Sequence, residues 1–151
     1  MKDVLLVNHA SGAPGLRFLG IGPKFTPKRG ISKLQVLLDR NTSWATKRNK
    51  RQIRVMLSKS DVIVSAWERD TLIGFGRATS DRIYRAVLWD IVVEKSYQRY
   101  GVGKLIVNSL LSNRLISGAE KIYVMTTKFE KFYLRMGFQL ETNQKLMVLQ
   151  K

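Results

Sequence analysis

The chain has 151 residues, 44% hydrophobic and 25% charged, a balance that suits one folded domain over residues 1–151 with a sizeable core. No apolar run approaches the ~18 residues of a membrane-spanning helix, and the absence of cysteine excludes a disulfide framework and thiolate metal sites. The formal net charge is +16, and residues 24–59 hold eleven Lys or Arg against one acid, Asp39; such a block either attracts polyanions or forms a solvated basic face.

Residues 1–30 read as loop-rich, punctuated by glycine and proline, with 4–7 and 16–19 as candidate short strands. The first apolar run spans four residues, too short for a signal peptide, and no transit-peptide character is present, so the chain is expected to work in the compartment where it is made. Ser32 is expected to cap a helix carrying Leu34, Val36, Leu37 and Leu38. A second helix is predicted over about 46–57, with Ile53, Met56 and Leu57 inward and Lys47, Arg51 and Arg54 along one face. Strands over 61–67 and 71–78 flank a hairpin at Glu68, Arg69 and Asp70.

A third strand, 84–93, is nearly continuous in apolar side chains, as in a central strand covered on both faces. A helix over 101–115 has Val102, Leu105, Ile106 and Leu110 on one side. Next come a strand at 121–125, a helix from about 128 to 136 closed by Gly137, and a last strand at 145–149. The helical crossover makes strands 84–93 and 121–125 parallel. The expected fold class is α/β: a mixed, mostly antiparallel sheet flanked by helices.

The chemistry concentrates in residues 87–104. A buried strand, a short turn, the glycine-spaced loop Gln98-x-x-Gly101-x-Gly103 and a helix start build an anion site, because the free N–H groups of a helix N-terminus face the ligand and glycine allows close approach. The loop lacks the Lys-Ser/Thr ending of a Walker loop and the early glycines of a Rossmann fingerprint. Asp90 is an acid inside an apolar strand: it is either a general base, with its pKa raised by burial, or a structural partner of a neighbouring segment. Trp89 beside it lines an acceptor pocket or packs in the core. His9 and the scattered acids offer no metal cluster.

Four pieces in order, residues 72–77, 98–103, 121–125 and 132–138, resemble the GNAT acetyltransferases over roughly residues 31–140. Residues 74–78, 88–93 and 132–139 are similar to the chloroplast and cyanobacterial branch, which includes plant serotonin N-acetyltransferases and plastid protein acetyltransferases. Lys95 stands where relatives usually carry proline, Arg99 where many carry glycine, and Thr126 and Thr127 where many carry an asparagine.

The resemblance implies acetyl-CoA as co-substrate and no metal. It implies that Ile91, Val92 and Val93 pair with the pantetheine arm, and that Gln98, Arg99, Tyr100, Gly101, Val102, Gly103 and Lys104 hold the pyrophosphate. It implies Tyr133 as the acid that protonates the leaving thiolate, although Phe129, Phe132, Tyr133 and Met136 also form a core-like stripe. The implied reaction is direct transfer in a ternary complex to an arylalkylamine such as serotonin, a protein lysine or a protein N-terminus. A plastid or a cyanobacterial cytoplasm is the implied location. The competing reading is a non-catalytic basic module in which residues 24–59 dock on nucleic acid or a ribosome, with CoA as a ligand.

Overall fold

A computed structural model of the chain describes residues 3–12, 15–16 and 29–151. Its centre is a five-stranded sheet in the order β1 (Leu5–His9), β2 (Val62–Glu68), β3 (Thr71–Ser80), β4 (Arg85–Val93) and β5 (Lys121–Val124). The first three pairings are antiparallel, and β4 and β5 run parallel, as the intervening helical crossover requires. One face is covered by α1 (Gly30–Asn41) and α2 (Lys50–Ser58), whose Leu34, Leu37, Leu38, Ile53 and Leu57 pack on Ile63, Trp67 and Phe75. The other carries α3 (Val102–Ser112), α4 (Arg114–Ser117) and α5 (Glu130–Arg135), with Val102, Ile106, Leu110, Ile116 and Tyr133 against Val64, Ala78 and Leu88. Each fully buried Leu, Ile or Phe of these layers stabilises the fold by about 1.5–3 kcal/mol.

Close packing of α3 on the sheet depends on two bare positions of β3. A Cβ added at Gly74 would meet Ile106 Cδ1 at 2.7 Å, and one at Gly76 would meet Ile106 Cγ2 and Ile91 Cδ1, each at 2.7 Å. The glycines therefore set the height of α3, and with it the place where the helix begins.

Several boundaries depart from the pattern-based reading. Helix α1 starts at Gly30 after a left-handed Arg29 (φ 53°), so Ser32 lies inside its first turn and caps nothing. Helix α2 begins at Lys50 rather than near 46, because Asn49 Oδ1 accepts from Gln52 N–H (2.8 Å) and Gln52 Oε1 accepts from Asn49 N–H (3.2 Å). Lys47, left-handed at φ 60°, therefore shares no helical face with Arg51 and Arg54. The expected helix over 101–115 breaks at Asn113, whose side chain accepts from Leu115 N–H (3.0 Å) and opens α4. Leu105, placed inward from spacing, is exposed, and Val107 takes the buried position.

The expected last strand at 145–149 is absent. No strand pairs with those residues, and Leu146, Met147, Val148 and Leu149 are all exposed. Apolar composition favours a strand only where a sheet edge accepts its hydrogen bonds, and the sheet ends at the short β5. Of the N-terminal expectations, 4–7 corresponds to β1, while residues 17–19 of the second candidate lie outside the described residues.

Candidate active site

Strand β4 pairs with β5 only from Arg85 to Leu88, because β5 ends at Val124, the partner of Leu88. Among the described residues, the edge of β4 from Trp89 to Val93 is thus left without a neighbouring strand on the β5 side. Within this stretch the β3 register slips: Arg77 faces Trp89 and Phe75 faces Val92, so Asp90 and Ile91 together oppose Gly76. Asp90 is the left-handed residue of this bulge (φ 53°). Aspartate tolerates that conformation better than the surrounding β-branched residues would.

Past Val93 the chain is pinned before it enters α3. Glu94 N–H donates to Ile73 O (2.8 Å), and Glu94 Oε2 accepts from Asn41 Nδ2 (3.0 Å). A 3₁₀ turn over Lys95–Tyr97 follows, and the Tyr97 hydroxyl donates to Glu68 Oε2. Gln98 Nε2 donates back to Val93 O (3.0 Å), so this side chain ties the loop to the strand end. Arg99 (φ 69°) and Gly101 (φ 83°) then reverse the chain into Val102, the first residue of α3. The first-turn N–H groups of a helix lack intrahelical acceptors, and here they emerge beside the open edge of β4. Val102 is buried, whereas Arg99, Tyr100 and Lys104 are exposed on the loop and first turn. Residues Glu94, Asn41, Tyr97 and Glu68 brace the loop without any motif that announces them. Their pairings span 29 to 53 positions of sequence.

The Asp90 carboxylate is 4% exposed, and its Oδ2 accepts from Arg77 Nε (2.7 Å) and Arg48 Nη1 (3.0 Å). Burial alone would raise its pKa, as anticipated from the sequence. The Arg48 hydrogen bond and the Arg77 charge outweigh burial and hold the carboxyl below its ordinary value. The expectation of a strengthened base is therefore corrected: Asp90 is an ionised carboxylate committed to two guanidiniums. Arg48 and Arg77 were not singled out, although Arg77 is the one charged side chain inside an apolar strand adjacent to that of Asp90.

Trp89 fixes the next wall. Its Nε1 donates to Thr79 Oγ1 (2.8 Å), and the Arg77 guanidinium lies 5.6 Å from its ring centre. On the opposite layer, Tyr133 packs edge-to-face with Phe132 (4.9 Å) and Phe138 (5.5 Å). Phe132 also approaches Gly103, so α5 abuts the start of α3. Burial pushes the Tyr133 phenol up to about 12. Among the described residues its hydroxyl has no hydrogen-bond partner, and no hydrogen bond joins it to Asp90. The site thus gathers Trp89 to Lys104 along one edge, with Tyr133 in the layer behind the loop.

The described arrangement matches known proteins. Residues 59–140 match the family model described as an acetyltransferase (GNAT) domain. The chain is 31% identical over 121 residues to the uncharacterized N-acetyltransferase ycf52 of Porphyra purpurea, covering 75% of this chain and 67% of that protein. It is 31% identical over 122 residues to the chloroplastic GCN5-related N-acetyltransferase 2 of Arabidopsis thaliana, covering 76% of this chain and 45% of that one. The match therefore spans two thirds or less of these relatives' own lengths. In fold, the chain is similar to a GNAT-family acetyltransferase from Streptococcus pneumoniae, with a TM-score of 0.73 at 21% identity over 99% of this chain and 98% of that one.

Proposed function

The chain belongs to the GNAT acetyltransferase family, and on that premise we propose that it is an N-acetyltransferase using acetyl-CoA as co-substrate and delivering the acetyl group directly to a primary amine. The observation that carries this reading is the unpaired edge of β4 running, through the tethered Gln98 loop, into the N-terminus of α3. The cradle suits a ligand with an amide-bearing arm and a diphosphate: a strand edge for the first, exposed amides and cations for the second. Acetyl-CoA supplies an acetyl group already activated as a thioester.

The chain's own residues do the rest. Backbone groups of Ile91, Val92 and Val93 pair with the arm as with an added strand. N–H groups from Arg99 to Lys104 face the phosphates, each dipole contact contributing about 0.3–1 kcal/mol, and the Arg99 and Lys104 side chains add charge. With no cysteine in the chain, both substrates are held at once. A lysine-like amine of pKa ~10.4 must lose a proton, which at pH 7 costs roughly 4.6 kcal/mol. Asp90 contributes by position: it holds Arg77 against Trp89 and Arg48 at the approach to α2, forming a fixed wall for the acceptor.

Tyr133 is the proposed acid. Its phenol stays protonated at neutral pH because burial holds its pKa at about 12. It gives its proton to the departing sulfur and regains the one that the attacking nitrogen loses, so the step ends with an amide, a free CoA thiol and the phenol restored. Tyr133→Phe is expected to lower kcat about 100-fold, with the KM for acetyl-CoA unchanged and the fold intact, since the ring packing survives. Steady-state rates of CoA release read both; a kcat within threefold of the parent removes Tyr133 from the reaction. We place the activity in a plastid or a cyanobacterial cytoplasm, a reading supported by the chloroplastic relative.

A further inference from the structure

Between α2 and the outer parts of β3 and β4 lies a cleft of about 730 Å³, a size that suits a small organic ligand. Three cations line it: Arg51, Lys59 and Arg77. No acid lines it, and the nearby carboxylate of Asp90 is already shared between Arg48 and Arg77. Among the described residues, Arg51 and Lys59 make no ion pair or side-chain hydrogen bond, so their charge faces the cleft uncompensated. The rest of the lining is mixed: Asn49, Gln52 and Thr79 are polar, and Val55, Met56 and Trp89 supply its apolar part. The indole of Trp89 lines the same cleft as Val55 and Met56, and its orientation is fixed by Thr79 and Arg77. Trp89 is also the residue immediately after the last β4–β5 pair, so the cleft adjoins the head of the open β4 edge.

We infer that this cleft is the acceptor site and that it selects a primary amine bearing a carboxylate or phosphate, with a flat apolar spacer between the anion and the amine. The anion pairs with Arg51 and Lys59, the spacer lies on Trp89, and the amine points toward the open strand edge. Bare dications and polycations are repelled by the same charges.

The inference rests on the acetyltransferase reading, and the test separates the two. Tyramine is compared with its O-phosphate and with 4-(2-aminoethyl)benzoate, the last two distinguishing phosphate from carboxylate. Turnover with acetyl-CoA and calorimetric binding of each amine in the presence of CoA are both recorded, for the parent and for Arg51→Glu/Lys59→Glu. Both substituted residues are exposed, so the double variant keeps the fold. One or both anionic amines should show a KM and a Kd about tenfold below tyramine, a gap that shrinks with added salt. The double variant should erase or reverse the gap while leaving CoA binding unchanged. Equal or better use of tyramine by the parent overturns the inference, as does a preference that persists in the double variant. If no amine turns over yet the anionic amines bind selectively, the cleft assignment stands and the acetyltransferase reading fails.

Discussion

Asp90→Ala is expected to lower the melting temperature by roughly 6–12 °C, corresponding to about 3 kcal/mol for a chain of this size. The substitution leaves Arg48 and Arg77, both within 3.0 Å of the same oxygen, facing each other without their counter-ion. Their side chains are 29% and 15% exposed, so water screens part of the repulsion, and the loss sits at the low end for a broken buried pair. A second cost comes from the backbone, since alanine must adopt φ 53° at the bulge. Asp90→Asn keeps an acceptor and tolerates that conformation, and should lose about half as much.

The same ion pair predicts a pH signature. Because the folded-state pKa of Asp90 lies below its ordinary value of 3.8, its contribution is fully present above that value and is lost as pH falls through the lower folded pKa. Thermal unfolding between pH 7 and pH 2 should therefore show an acid-side decline in the parent that is shallower in Asp90→Asn. Identical profiles would mean that the two arginines do not stabilise the carboxylate.

The second large effect is expected at Gly101. Gly101→Val should raise the KM for acetyl-CoA about 10- to 100-fold with little change in melting temperature. A Cβ there meets nothing within 4 Å, so the penalty comes from φ 83° rather than from crowding. A β-branched residue avoids that region, and the loop would turn its amides away from the α3 N-terminus. Losing two or three dipole contacts of about 0.3–1 kcal/mol each accounts for the size of the effect. Gly101→Asn, which enters the left-handed region more readily, should recover most of the affinity. If valine and asparagine bind CoA equally well, the conformation of Gly101 is irrelevant to the site.

The sheet order and the parallel crossover could be read from residues 61–125 because strand periodicity and turn chemistry agree there. The glycine-spaced loop was legible for the same reason: a strand, a turn and a helix start follow each other within residues 87–104. What escaped was long-range and side-chain specific. Arg48 meets Asp90 across 42 positions, and that contact reversed the direction expected for the carboxyl pKa. The Gln98 side chain, besides the ligand role that the resemblance implies, ties the loop to Val93. Helix ends moved wherever an asparagine competed for backbone hydrogen bonds, as at Asn49 and Asn113. The apolar run at 145–149 misled because periodicity says nothing about whether a sheet edge is present to receive it.

The central claim is direct acetyl transfer from CoA to an amine held in the same complex. Initial rates of CoA release, measured while acetyl-CoA and a primary amine acceptor are varied together, test it most directly. The account expects double-reciprocal lines that intersect, as a ternary complex requires. Parallel lines, or a chain that neither binds CoA nor releases it with any primary amine, would contradict it.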